Sequence, residues 1–111
     1  PLATARCRRR SRVCSSMDRH VLGHAEVAGR LEEMPGWTHQ DGKLCRVCQF
    51  GDFSEAFAFM TRVAMEAERL DHHPEWRNVW NKVEISLVTH DAGGITGLDF
   101  ALAARIEALL A

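Results

Sequence analysis

Several things are missing from this 111-residue chain, and each absence removes a class of function. No apolar run approaches the roughly 20 residues a membrane-spanning helix needs. No apolar h-region follows the basic start, so the start is not a secretory signal. "DAGGITG" lacks the strand–loop–lysine setting of a phosphate-binding loop, and no serine or cysteine sits in a recognisable nucleophile elbow. Cysteine is sparse. Of the four, Cys7 and Cys14 lie in the basic start, and Cys45 and Cys48 form a single C-x-x-C with no second pair. That pair falls in a strand-like run, where residues i and i+3 point to opposite faces and cannot hold one ion. Nothing demands an oxidising compartment.

Charges of the two signs nearly cancel but are unevenly placed. The formal net charge is −1. Residues 1–16 carry Arg6, Arg8, Arg9, Arg10 and Arg12 and no acid, which is +5, so residues 17–111 carry −6. An acidic body is a poor partner for nucleic-acid phosphates. The Arg/Ser-rich stretch 1–16 lacks periodicity and reads as a targeting remnant, a basic tail or an over-long gene start. The last is preferred, with Met17 as the natural start and 17–111 as a single domain. Apolar residues make up 46% of the chain, enough for a globular core.

Periodicity then gives the elements. "SSMDRHVLGHAEVAGRLEEMPG" predicts a helix opened by Ser15 and Asp18 as an S-x-x-D signal, with Val21, Leu22, Ala25, Ala28 and Leu31 at helical spacing and Pro35-Gly36 as its stop. His20 and His24 would sit one turn apart on it, as surface residues. "WTHQDGKLCRVCQF" predicts a hairpin turning at Asp41-Gly42, with Leu44, Cys48 and Phe50 on one face. "GDFSEAFAFMTRVAMEAERL" predicts a helix capped by Asp52 and Glu55. Its expected apolar stripe is Phe53, Phe57, Met60, Ala64 and Ala67, flanked by Phe59 and Val63. A second hairpin is expected around "RNVWNKVEISLVTH" with its turn at Asn81-Lys82. There Val83, Ile85, Leu87 and Thr89 alternate with Glu84, Ser86, Val88 and His90. The last helix is expected over Gly97–Leu110, with Thr96 and Asp99 as a capping box and Leu98, Leu102, Ile106 and Leu109 along one side. The order α-β-β-α-β-β-α implies an α+β fold: a four-stranded antiparallel sheet with three helices packed on one face.

The chemistry gathers at element ends. His72 and His73 follow the second helix, His90 ends the last strand, and Asp99 opens the last helix. Pro74 restricts His73 to extended backbone, which turns the two neighbouring imidazoles apart. Trp76 offers a flat apolar wall. Three histidines and a carboxylate match a zinc or iron ligand count, but adjacent residues rarely reach one ion and the usual metal spacings are absent here. Imidazoles titrate near neutrality, so the set also suits acid–base chemistry. Taken singly, His72 or His73 would serve to cap a helix C-terminus, and Asp99 to cap a helix N-terminus.

The stretch "FMTRVAMEAERLDHHPEWRNVWNKVEISLVTHDAGGITGLD" resembles the signature region of the pterin-4a-carbinolamine dehydratases, also called the dimerisation-cofactor family. "DHHPEW", "VWNKV", "THD-x-GG" and the final aspartate fall in register. The likeness is close over Asp52–Asp99 and looser before it. The resemblance implies dehydration of 4a-hydroxytetrahydropterins to quinonoid dihydropterins, with the pterin as substrate and neither metal nor cofactor. It implies His72 and His90 as acid–base groups near C4a and its hydroxyl, and His73 as the residue that positions the ring. Asp99, Trp76, Pro74, Asp71, Glu68 and Thr89 would line or support the pocket. It implies a cytoplasmic homodimer or homotetramer that binds neither nucleic acid nor membrane directly. An aromatic amino acid hydroxylase or transcription-factor helices are partners the family admits. The alternative is a non-catalytic binding module of the same fold.

Overall fold

The computed structural model describes residues 20–111. The basic start, Met17, Ser15, Asp18 and the two cysteines at 7 and 14 lie outside the described residues. The elements are α1 (His24–Leu31), β1 (Thr38–Gln40), β2 (Lys43–Gln49), α2 (Phe53–Leu70), β3 (Glu75–Val79), β4 (Lys82–Leu87) and α3 (Gly97–Leu110). This is the expected α+β order. The four strands pair antiparallel in the order β1-β2-β4-β3, so the two hairpins join through β2 and β4.

Strand alternation divides the sheet into two faces. Leu44 and Cys48 of β2 and Val83, Ile85 and Leu87 of β4 are buried on one face. Against them pack Ala56, Phe59, Val63 and Ala67 of α2, Leu102, Ala103 and Ile106 of α3, and Val27 of α1. The other face carries Lys43, Cys45 and Val47 of β2 and Glu84 and Ser86 of β4 along an open cavity of about 490 Å³. Cys45 and Cys48 thus fall on opposite faces, and Cys45 lies beside Ser86 at 3.7 Å. Trp37 and Arg46 both donate to Glu107 of α3, at 2.8 Å each, which ties the first hairpin to the last helix.

Both hairpin turns place a non-glycine residue at positive φ. Asp41 (φ 52°) and Gly42 (φ 73°) form the first, as expected. The second turns at Trp80 (φ 52°) and Asn81, one residue before the expected Asn81-Lys82, because Val79 pairs with Lys82. Asn81 is held there by donating to the Phe50 carbonyl at 2.8 Å.

Two further expectations need correction. The helix that carries Leu31 opens at His24 after Gly23, whose extended backbone supplies no capping side chain, so residues 20–23 lie outside it; the expected Ser15–Asp18 start signal lies outside the described residues. Val21 bridges Thr96, and the Leu22 amide donates to Ile95 at 2.8 Å, so these two residues are spent on pairing with the chain before α3. His20 therefore does not share a helix with His24, whose ring lies 5.2 Å from that of His39. Val27 is the residue this helix buries, and Ala25 and Ala28 are exposed. In α2 the apolar stripe is rotated. Phe53 and Phe57 are about half exposed, and Phe59 and Val63, expected at the flank, are its buried centre.

Candidate functional site

The end of α2 aims His72 inward. Asp71 adopts the left-handed conformation (φ 51°, ψ 44°) just past the last helical residue. Its amide donates to Glu68 and the His72 amide to Ala67, at 3.1 and 3.0 Å. This pair of bonds is the Schellman arrangement, and aspartate tolerates the left-handed position that glycine usually fills. The motif reverses the chain so that His72 is buried, and His73, one residue on, stays exposed. After the half-buried Pro74 the chain enters β3 at Glu75.

A second junction supplies the partners. Beyond β4, Thr89 and Gly94 bridge one another and enclose a short loop that carries His90. Gly93 turns that loop at φ 85° and donates to both the Thr89 and His90 carbonyls. Thr96 then caps α3. Its hydroxyl accepts from the Leu98 amide at 3.2 Å, and Asp99 accepts from the Thr96 amide at 2.9 Å, closing the expected capping box.

Asp99 is fully buried and joins the two junctions. Its Oδ1 lies 2.5 Å from His72 Nε2. Its Oδ2 accepts from Thr89 Oγ1 at 2.9 Å. With the Thr89 proton committed to Asp99, the Thr96 hydroxyl is the donor in the 2.8 Å contact between the two threonines. Every oxygen of this cluster is used, and among the described residues no buried side-chain polar atom lacks a partner.

The other two histidines repeat the pattern outside. His73 Nε2 lies 2.6 Å from Glu68 Oε1, and His90 Nε2 lies 2.5 Å from Glu75 Oε2. Glu75 also accepts from Lys43 at 2.7 Å. The Lys43 ammonium first, and His90 second, hold the Glu75 carboxyl below the usual carboxylate range. Three imidazoles thus each present Nε2 to a carboxylate. Such a pairing orients the ring.

The structure brings His72, Thr89 and Asp99 into one buried cluster and sets His73 with Glu68 and His90 with Glu75. Trp76 stands on the core side of β3 opposite Ile85, half-buried against the core cluster. Among the described residues no group of three or more His, Cys, Asp or Glu side chains is arranged to hold a metal ion. The sequence reading missed Glu75, Lys43 and Thr96 as site residues. Glu75 lies inside "HHPEW" itself, and the signal that could have found it is its place at the start of an edge strand, facing the strand that leads to His90. Lys43 has no local signal, since only the sheet register brings β2 to β3's end.

The molecule is thus an α+β sandwich with carboxylate-paired histidines at and beside its helix–strand junctions. The chain belongs to the pterin 4 alpha carbinolamine dehydratase family, whose model matches residues 20–109. A protein of Rhizorhabdus wittichii is 57% identical over 90 residues, which span 79% of this chain and 93% of that one. One of Solibacter usitatus is 52% identical over 90 residues, covering 81% and 95%. Both are named "Putative pterin-4-alpha-carbinolamine dehydratase". Among solved structures, a "transcriptional coactivator/pterin dehydratase from Brucella Melitensis" superposes with a TM-score of 0.78 at 41% identity, covering 81% of this chain and 98% of that one.

Proposed function

We propose that the chain eliminates water from 4a-hydroxytetrahydropterins in pterin recycling, as a hydro-lyase working by histidine acid–base catalysis. The observation that carries this reading is the set of three imidazoles, each with Nε2 on a carboxylate, at two adjacent junctions of one fold. Family membership and the names of the relatives support it.

In the reaction the C4a–O bond breaks, the N5–H proton leaves and a C4a=N5 double bond forms. The departing hydroxyl takes a proton and leaves as water. His72 and His90 are the acid–base pair for these two transfers, each contributing roughly 10²–10⁴-fold. His72 works in a buried setting with Asp99 and Thr89 fixing its ring. His90 is exposed, so it can exchange protons with solvent and reset the pair after each turnover. His73, steadied by Glu68, positions the pterin, and Pro74 and Trp76 supply apolar surface for its flat ring. Asp71 acts through the backbone turn that aims His72. The reaction needs no metal or cofactor in this scheme, and the described residues hold no helix long and apolar enough to cross a membrane.

The test is the rate of loss of the 4a-hydroxyl, followed by ultraviolet absorbance with the carbinolamine supplied by an aromatic amino acid hydroxylase. The His72→Ala, His90→Ala double variant should fall to the uncatalysed rate. A double variant as fast as the parent chain would overturn the assignment.

A second reading is a helix-binding module. The coactivator name of the Brucella protein and the exposed Phe53, Phe57 and Met65 of α2 favour it. Tight binding of an amphipathic partner helix, with turnover no faster than buffer, would select it.

A further inference from the structure

Glu75 stands between two cations of different kinds, and the chemistry of that position goes further than the dehydratase reading on which it rests. Its Oε1 takes the Lys43 ammonium at 2.7 Å and its Oε2 faces His90 Nε2 at 2.5 Å. Lys43 comes from β2, Glu75 from the start of β3 and His90 from the loop after β4, so three separate segments converge. The neighbouring charges are otherwise engaged. Arg77, two residues along β3, pairs with Glu84 of β4, and Asp41 and Cys45 flank Lys43 on the first hairpin.

We propose that Glu75 is a positioning residue for His90: it holds the Nε2–H of the ring, leaving Nδ1 as the nitrogen that exchanges the reaction's proton, and Lys43 is the counter-charge that steers Glu75 into this role. An ionised carboxylate only accepts hydrogen bonds, so the neutral imidazole facing it must carry its proton on Nε2. The Lys43 ammonium holds Glu75 in that acceptor form to lower pH than an unpaired carboxylate would allow. His90 is 72% exposed at its side chain, so burial does little to fix its ring and the hydrogen bond is what orients it. Glu75 touches no substrate in this scheme. It acts through His90, as a carboxylate partner orients a ligating or catalytic histidine elsewhere.

Two measurements test this on the full chain. The first is the proton spectrum of 15N-histidine-labelled protein at neutral pH, with His90 assigned by its loss in His90→Gln. A hydrogen-bonded Nε2 proton on His90 that disappears in Glu75→Ala supports the pairing; its absence in the parent chain overturns it. This readout needs no turnover, so it stands even if the dehydratase reading fails. The second is the pH dependence of kcat. Glu75→Ala should lower kcat by about 10-fold, the low end expected for an orienting partner at an exposed site, with KM within about twofold. Lys43→Met should move the acid limb of kcat to higher pH, because Glu75 then protonates nearer the ordinary carboxylate value. In a Glu75→Gln background the same lysine change should leave the limb where it is. Turnover with an acid limb unmoved by Lys43→Met, or a kcat unaltered by Glu75→Ala, overturns the proposal. No turnover in the parent chain overturns the dehydratase reading instead.

Discussion

His72 and Asp99 are 27 residues apart in the chain and meet at 2.5 Å in the buried junction where α2 ends and α3 begins. One carboxylate thereby serves a helix cap, a threonine and an imidazole at once. Asp99→Asn separates these duties. The amide has one acceptor oxygen, and the Thr96 amide and Thr89 hydroxyl both need it. Its NH2 group must then face His72 Nε2, which forces the ring proton to the other nitrogen. The expected result is a kcat lower by roughly 10²–10⁴-fold, the span of one misdirected proton transfer, in a chain that still folds. Circular dichroism and the hydroxylase-coupled assay check the two halves. Turnover close to that of the parent would remove Asp99 from the catalytic geometry.

Thr89→Val keeps the shape of a fully buried side chain and deletes its hydroxyl. Asp99 Oδ2 loses a donor, and the Thr96 hydroxyl loses the acceptor it uses at 2.8 Å. Leaving one buried hydroxyl unpaired costs about 1–3 kcal/mol. Urea unfolding should show that loss as a lower midpoint with an unchanged slope. An unchanged midpoint would mean that the threonine pair contributes nothing.

Much of this was legible in the sequence because it is local. The Thr96–Asp99 box, the Asp41-Gly42 turn and the β4 alternation each depend on residues within a few positions of one another. The four site candidates His72, His73, His90 and Asp99 also stood out, since each sits where an element ends. What the sequence hid is set by tertiary choices. Val21 and Leu22 have helical spacing, yet pairing with residues 95–96 takes them out of the helix. The second hairpin turn sits one residue earlier than expected because the sheet register pairs Val79 with Lys82: Asn81 keeps its place in the turn, and Trp80 takes the place expected for Lys82. Glu75 and Lys43 are 32 residues apart, and no periodicity links them.

The rotated stripe of α2 gives a direct test. This helix is apolar enough on two sides that spacing alone favoured Phe53 and Phe57, whereas Phe59 is the phenylalanine that meets the sheet. Phe59 is 5% exposed and its ring lies 4.9 Å from that of Phe50. Phe59→Ala should cost about 3–5 kcal/mol, the usual range for a truncated core phenylalanine. Phe57 is 55% exposed, and Phe57→Ala in the monomer should stay within about 0.5 kcal/mol, as for other surface changes. Thermal and urea unfolding at low protein concentration compare the two. Equal losses would return Phe57 to the core.

The two cysteines of β2 should differ in the same inside–outside sense. Burial pushes the Cys48 thiol up from its ordinary range, with Arg46 opposing and Glu107 adding to the rise. Cys45 is half-exposed on the open face of the sheet. An alkylating reagent attacks thiolates, so at pH 8 Cys45 should be modified first, and Cys48 should react only as the chain opens. The raised pKa also sets a sign for stability. The folded state keeps the Cys48 proton where the unfolded chain would release it, so this contribution is complete below about pH 8.5 and declines as pH rises above it. Peptide mapping of a timed alkylation gives the order of reaction. Unfolding midpoints at pH 7.5 and 9.5 should converge partway in Cys48→Ala relative to the parent chain. Alkylation of Cys48 at the rate of Cys45 in the folded protein would contradict its place in the core.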